Sequence, residues 1–376
     1  MTGSKVKIWK QDPSVKSIGV RTAYIPTQVL NGPKDHEIEI KGAPHVLANS
    51  NQDFIFSPIE NPQEFDAVHT FTVVRQVLTM YRRALVRNKI EIDLKWQWGS
   101  DPISVYPNAG EDANAYYSRD EKALRFFYFP NDDGGDSSII HTCRSFDIVA
   151  HEVGHAILDA LRPGYWASWH PQTGGLHEAF GDITAILTML AQMDQCEAII
   201  AEAKGDLHAK SFFPALAEQF GDALGRTMGL RNADNDLTLS EVSNEVHDLS
   251  KVFTGAFYDI LADIYSDYHK PDQYDQAETL FRVGKHMTSL VILALLKGPE
   301  ENASYADIAN LMIEIEPVNE WKVFIQQQFS KREVLGSHAS MTAIQPRSLN
   351  WQSCCGTLRH EHHIKTVEDA VNKAAN

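Results

Sequence analysis

Residues 145–155 read S-F-D-I-V-A-H-E-V-G-H, and residues 174–182 read G-G-L-H-E-A-F-G-D. In the first stretch His151, Glu152 and His155 form an H-E-x-x-H motif. On a helix, side chains four residues apart share a face about one turn from each other, so both imidazoles can hold one ion. Glu152 cannot point straight at that ion with them, but it can reach a water molecule on its open side. The second stretch puts Glu178 and, one turn later, Asp182 on a helical segment of their own. Together the two stretches read as a zinc peptidase, with His151, His155 and Glu178 as the metal ligands.

Two neutral imidazoles and one carboxylate leave a zinc ion with net positive charge and a fourth position for water. That charge lowers the pKa of the water from about 16 towards 7. Glu152 is then the base that takes the proton as the water attacks a carbonyl, and passes it to the leaving amine. A structural zinc site has no use for such a carboxylate. Asp182 reads as the acceptor for the ring nitrogen of a ligand histidine that faces away from the metal, fixing its tautomer. The plainer reading of Asp182 is a solvated helix carboxylate.

At 376 residues the chain is long enough for two domains, and 43% hydrophobic and 10% aromatic residues are ordinary for a globular protein. A formal net charge of −16 argues against nucleic acid or an anionic membrane as partner. The longest apolar run, around Ser289 to Leu296, is short for a bilayer. Cys143, Cys196, Cys354 and Cys355 are too few and too irregular for a disulfide scaffold and read as free thiols. The opening M-T-G-S-K-V-K-I-W-K has neither an apolar core nor a cleavage site of a signal peptide. The expectation is a cytoplasmic protein, with a trimmed mature form of a secreted enzyme as the alternative.

The first part of the chain reads as β-rich, with runs at Val6–Trp9, Gly19–Tyr24, Ile38–Lys41 and Phe54–Phe56 between Pro, Gly and Asn breakers. Further runs are Ile92–Trp98, Ile103–Tyr106, Ala115–Tyr117 and Leu124–Phe129. A helix over Glu64–Arg87 interrupts them, announced by Asn61-Pro62. After Ser145 the pattern turns helical. The motif helix begins near Phe146 and is stopped by Pro163-Gly164, and a second helix begins near Leu176. Further helices are expected at Pro214–Leu224, Lys251–Tyr268, Gln276–Leu296, Tyr305–Ile315 and Glu320–Phe329. The predicted domains are 1–155, β-rich and ending in the motif helix; 156–345, helical; and a tail over 346–376. The fold class is α+β.

These residues resemble the thermolysin family of zinc metallopeptidases. The similarity covers F-D-I-V-A-H-E-V-G-H-A, L-H-E-A-F-G-D, Asn114-Ala115-Tyr116, and V-H-D-L-S-K-V-F-T-G-A-F-Y-D from Val246, within roughly Asp66 to Ile315. The resemblance implies a two-domain architecture with Zn2+ in the cleft between a β-rich and a helical domain, and a peptide or protein substrate. It implies that His151, His155 and Glu178 hold the zinc, that Glu152 is the general base and that Asp182 orients a ligand histidine. It further implies that His247 donates to the oxyanion of the tetrahedral intermediate, although a helix-capping or surface histidine is the plainer reading. Tyr165 matches a second oxyanion donor, with Trp166 and Trp169 as competitors in the long loop from Arg162 to Gly175. Asn114 and Ala115 match the edge segment that hydrogen-bonds substrate backbone, or are simply a strand edge.

The departures from the family pattern are specific. The aspartate that supports the oxyanion histidine falls near Val242, so Glu241, Glu245 or Asp248 must substitute. Asp147 matches a calcium-binding aspartate, but Met189 stands where a second carboxylate is expected, so the family's double calcium site is expected to be absent. Arg226 and Arg231 are candidates for a substrate-contacting arginine. Asp132, Asp133 and Asp136 in a Gly-rich loop, and the cluster Arg359 to His363, read as solvated polar segments rather than metal sites. No propeptide is recognisable, so the expectation is either a mature form behind an added methionine or an intracellular relative whose activity is limited by narrow specificity or by an inhibitory or regulatory partner. Two functions stay open: an active metalloendopeptidase, and a catalytically weak zinc protein that binds peptides in the same cleft. An aminopeptidase is disfavoured, because no G-x-M-E-N-like segment is present to anchor a free amino terminus.

Overall fold

The computed structural model describes residues 3–131, 139–168, 170–223 and 229–335. Strand β1 (Ser4–Trp9) pairs antiparallel with β2 (Val20–Ile25). Strands β3 (Ile38–Ile40), β4 (Ile103–Tyr106), β5 (Ala115–Ser118) and β6 (Ala123–Phe126) form a sheet in the order β3-β4-β6-β5. The β5–β6 pair is antiparallel and the other two are parallel, so β5 is an edge strand. A hairpin of β7 (Tyr128–Pro130) and β8 (Ile139–His141) leads to the motif helix, and a short pair, β9 (Ala215–Leu216) with β10 (Arg231–Asn232), lies in the second half. The class is therefore α+β, strand-rich before the motif and helical after it.

Helix α1 (Pro62–Arg87) starts on a proline at its first position, where the missing N–H costs nothing, and buries Phe65, Phe71, Val74, Val77 and Tyr81. Its buried Asp66 accepts from Arg144 Nε at 2.7 Å and Nη2 at 3.0 Å. Then follow α2 (Phe146–Leu161), α3 (Pro163–Trp166), α4 (Pro171–Leu190), α5 (Met193–Ala203) and α6 (Glu218–Ala223). The last four are α7 (Val246–Tyr268), α8 (Gln276–Lys297), α9 (Tyr305–Ile315) and α10 (Asn319–Lys331). By length and composition α8 could cross a membrane, yet Leu280, Val283, Met287, Val291 and Ile292 are buried among the other helices. Its apolarity is thus used up in the core.

Several expectations from the sequence are corrected. Phe54–Phe56 and Ile92–Trp98 form no strand; Phe54 and Trp96 make isolated bridges while burying their rings, so their apolar pattern reports burial and not pairing. Pro163 opens α3, and α4 begins at Pro171, five residues before Leu176, so the segment expected as loop is largely helical. Both helices open on a proline, where its missing N–H costs nothing, so Pro163 starts a helical turn in place of the expected stop. The stretch Pro214–Leu224 divides into β9 and α6; α5 was not anticipated; and α7 starts at Val246, not Lys251, because Glu245 caps it with its side chain.

Helices α2 and α4 cross at two glycines. A Cβ on Gly154 would sit 2.9 Å from the Gly181 Cα and 2.9 Å from Thr184 Oγ1, closer than real Cβ contacts come. Only glycine permits this approach. Gly154→Ala is expected to lower stability by about 1–3 kcal/mol through overpacking; an unchanged denaturation midpoint would show that the helices can part without penalty.

Candidate metal centre

The crossing of α2 and α4 sets the ligands face to face. His151 Nε2 lies 3.5 Å from Glu178 Oε2, and His155 Nε2 lies 3.6 Å from Glu178 Oε1. One ligand atom from each of the three residues falls within 4.8 Å of the other two. Donors arranged tetrahedrally at about 2.0–2.1 Å from an ion stand roughly 3.4 Å apart, so the spacing suits one small cation. All three residues are buried, and among the described residues His151 Nε2 and both Glu178 oxygens have no hydrogen-bond partner. Unpaired buried donors of this kind are costly unless something takes their lone pairs. Two imidazoles and a carboxylate fit zinc.

The electrostatics follow from burial and close partners. Burial pushes the His151 imidazole down, but the Asp182 and Glu178 carboxylates outweigh it, and the ring rises to about 9. Burial dominates at His155, which falls well below the ordinary histidine value. Burial works against ionised Glu178, yet the charges of His247, His155 and His151 hold it well below the usual carboxylate range. The cluster is thus built to keep Glu178 anionic.

Around the three ligands, the outer contacts are specific. His151 Nδ1 lies 2.9 Å from Asp182 Oδ1, which also accepts from Arg231 Nε at 2.9 Å. Arg231, a candidate for contacting substrate, is therefore engaged with Asp182. His155 Nδ1 lies 2.7 Å from Nδ1 of His177, a residue that no spacing argument singles out. Glu152 is buried beside the ligands and its Oε2 accepts from the Tyr117 backbone N–H at 3.1 Å, so the edge strand β5 holds the carboxylate. Tyr117 was also not anticipated, since nothing in a sequence announces a backbone contact from another element.

His247 is brought to the cluster by the first turn of α7. Its Nε2 lies 3.3 Å from Glu178 Oε2 and its Nδ1 lies 2.5 Å from Glu245 Oε1. Of the three acids that could support it, the structure uses Glu245. That side chain also caps α7, its Oε2 accepting from the backbone N–H of His247 and of Asp248, each at 3.0 Å. Asp248 is turned to Ser243 and Lys251, and Glu241 to Thr238.

Tyr165 is not brought to the cluster. Its buried hydroxyl lies against Gly298, where a Cβ would come within 3.2 Å of it, and the charges it feels are those of Arg162 and Asp307. Pro163 starts a helical turn there and rotates the ring into the helical body. Trp166 packs edge-on against Tyr117 and His177. The phenol that does feel Glu178 is Tyr305, fully buried where α9 meets α4. Asn114 immediately precedes β5; its backbone oxygen accepts from Thr142 Oγ1 at 3.2 Å, and its buried side-chain oxygen has no hydrogen-bond partner among the described residues. Ala115 lines a small cavity of about 20 Å3 with Glu152, His151, Leu216, Phe220 and Leu230.

Asp147, at the start of α2, accepts from the Ala217 backbone N–H at 2.6 Å, and Asp12, also buried, accepts from the Gln219 N–H at 3.2 Å. The two carboxylates thus tie down one wall of that cavity. Met189 Sδ accepts from Gln11 Nε2 at 3.1 Å, so an N-terminal side chain covers the position at which the family pattern has a second calcium carboxylate. Trp169, Arg226, Asp132, Asp133, Asp136, the cysteine pair 354–355 and the tail over 346–376 lie outside the described residues. Cys143 and Cys196 are buried free thiols.

Scanned against protein-family models the sequence matches none, and no curated protein matches it. Among solved structures the chain is similar to the precursor of protealysin, a metalloproteinase from Serratia proteamaculans. The TM-score is 0.50 at 12% sequence identity, over 89% of this chain and 89% of that one. The likeness is one of fold: the chain has a thermolysin-like α+β architecture.

Burial, and then the neighbouring Asp12, raises Asp147 to about 6. A carboxyl whose folded pKa lies above its unfolded value of about 3.9 binds its proton more tightly when folded, so its stabilising contribution is present below pH 4 and lost as pH rises through about 6. Asp12→Asn keeps an acceptor for Gln219 and removes one charge. Denaturant midpoints at pH 4.5 and 7 are expected to fall less in this variant than in the parent; parallel losses would mean that the two carboxylates do not interact.

Proposed function

We propose that this chain is a zinc-dependent metalloendopeptidase. The observation that carries the reading is the convergence of three buried, metal-spaced donors with a carboxylate, Glu152, held beside them by an edge strand. The match in fold to a metalloproteinase precursor supports it. His151, His155 and Glu178 would hold the ion. Zinc bound there is a Lewis acid, which acidifies water and polarises a carbonyl oxygen.

The protein's own residues account for the remaining steps. An extended substrate lies along the edge of β5, with Asn114 and Ala115 offering backbone and amide groups to it. Glu152 takes a proton from the attacking water as its oxygen bonds to the scissile carbonyl carbon, and delivers that proton to the amide nitrogen as the carbon–nitrogen bond breaks. Its contact with the Tyr117 N–H holds the carboxylate in place. His247 keeps Nδ1 on Glu245 and turns Nε2 towards the metal cluster, where that N–H donates to the oxygen on which negative charge develops. Burial opposes a charged His247, but Glu178 and Glu245 raise it above the ordinary histidine value, which favours the donor form. The products are a carboxylate and an amine.

The cavity beside Glu152, about 20 Å3 in volume, has room for roughly one water molecule and is lined by Asp147, His151, Asp182 and Arg231 as well as apolar side chains, so a substrate side chain enters it only where Phe220 or Leu230 gives way.

The test is digestion of a mixed peptide library by zinc-loaded protein, with products read by mass spectrometry. Glu152→Gln is expected to keep zinc bound and to lower turnover by at least a hundredfold to ten-thousandfold, the usual worth of a general base. Undiminished cleavage in that variant would falsify the mechanism. Zinc binding without cleavage by either protein would favour a peptide-binding role for the same cleft.

A further inference from the structure

The two ligand histidines are supported in unlike ways. His151 Nδ1 faces the carboxylate of Asp182, itself neutralised by Arg231. His155 Nδ1 instead faces another imidazole, His177 Nδ1, at 2.7 Å. His177 precedes Glu178 on α4, is fully buried, and lies with its ring 4.9 Å from that of His155 at 29°. Trp166 meets it edge-on at 5.5 Å, and Trp166 in turn meets Tyr117, the residue that holds Glu152. The pair is therefore packed against Trp166.

Proton counting fixes what such a pair can be. Two ring nitrogens at hydrogen-bond distance share one proton; two protons there would repel and none would leave two lone pairs opposed. His155 turns Nε2 to the cluster, 3.6 Å from Glu178 Oε1, so a metal there needs that nitrogen bare. Its proton must then sit on Nδ1 and be donated to His177, whose own proton must be on Nε2. We propose that His177 is a positioning residue for the metal centre: as a neutral acceptor it locks His155 in the tautomer that can bind zinc. This rests on the metallopeptidase reading above. A consequence is asymmetry, because a neutral acceptor makes His155 a weaker donor than the carboxylate-backed His151 and leaves more positive charge on the ion.

Three proteins are compared for zinc affinity by competition with a chelator, and for the visible spectrum of the cobalt-loaded form: wild type, His177→Phe and His177→Asn. Phenylalanine keeps the ring stack and removes the acceptor; asparagine restores an acceptor oxygen. His177→Phe is expected to weaken zinc binding about 10–100-fold and to alter the cobalt bands, and His177→Asn to recover most of both. In the wild type, nitrogen-15 NMR of the histidines is expected to find protons on His155 Nδ1 and His177 Nε2, a readout that needs no variant to fold. Equal zinc affinity in all three, Asn as weak as Phe, or the opposite tautomers would each overturn the role of His177. Failure of the wild type itself to bind zinc would instead overturn the metallopeptidase reading, and this inference with it.

Discussion

Everything at the candidate centre depends on how closely α2 and α4 approach. The residue that faces the Gly154 crossing on α4 is Gly181, and a Cβ there would meet the His151 ring at 2.6 Å. The helix that carries two of the candidate donors and the helix that carries the third can touch only because both present a bare backbone at that level. From this contact the distances between His151, His155 and Glu178 follow, and so does the access of Asp182 to the far side of His151. Thr184 secures the same level from the other direction, with its hydroxyl bonded both to the Phe180 carbonyl oxygen and to Tyr81 of α1.

A second constraint is charge. The centre lies in a core where ionised groups are expensive, and most buried ionisable side chains near it meet a group of opposite or complementary character. Asp182 has Arg231, Asp66 has Arg144, and Asp159 has Arg119 with the Tyr117 hydroxyl. Glu245 serves twice, as helix cap and as the acceptor for His247. Asp12 with Asp147 departs from the pattern: two carboxylates share a buried locus, and both accept backbone N–H groups from the wall of the adjoining cavity. The N-terminal segment, through Gln11 and Asp12, is in this way part of the surroundings of the centre and not a remote appendage.

What could be read from the sequence was whatever depends on spacing along one helix. His151 and His155 share a face because they are four residues apart, and Glu178 and Asp182 are related in the same way, so the candidate donors and the carboxylate beside His151 were visible in two short stretches. The order of strands and helices was legible for a similar reason, since apolar periodicity is local. The errors have a local cause too. Pro163 and Pro171 each start a helical turn, a position where proline costs nothing, and their neighbours read as loop. Phe54 and Trp96 bury their rings without pairing their backbones, so burial was mistaken for a strand.

The sequence by itself determined the donors, because ligand chemistry is a property of residue type and the helical period fixes which residues act together. Only the tertiary structure decided what stands behind those donors: that Glu245 and not Glu241 or Asp248 reaches His247, that Tyr165 turns into the helical body while Tyr305 approaches Glu178, and that an imidazole backs His155. Each of these turns on the angle and register at which separate elements pack. A one-dimensional pattern does not encode such angles, because they are set jointly by every side chain at the crossing.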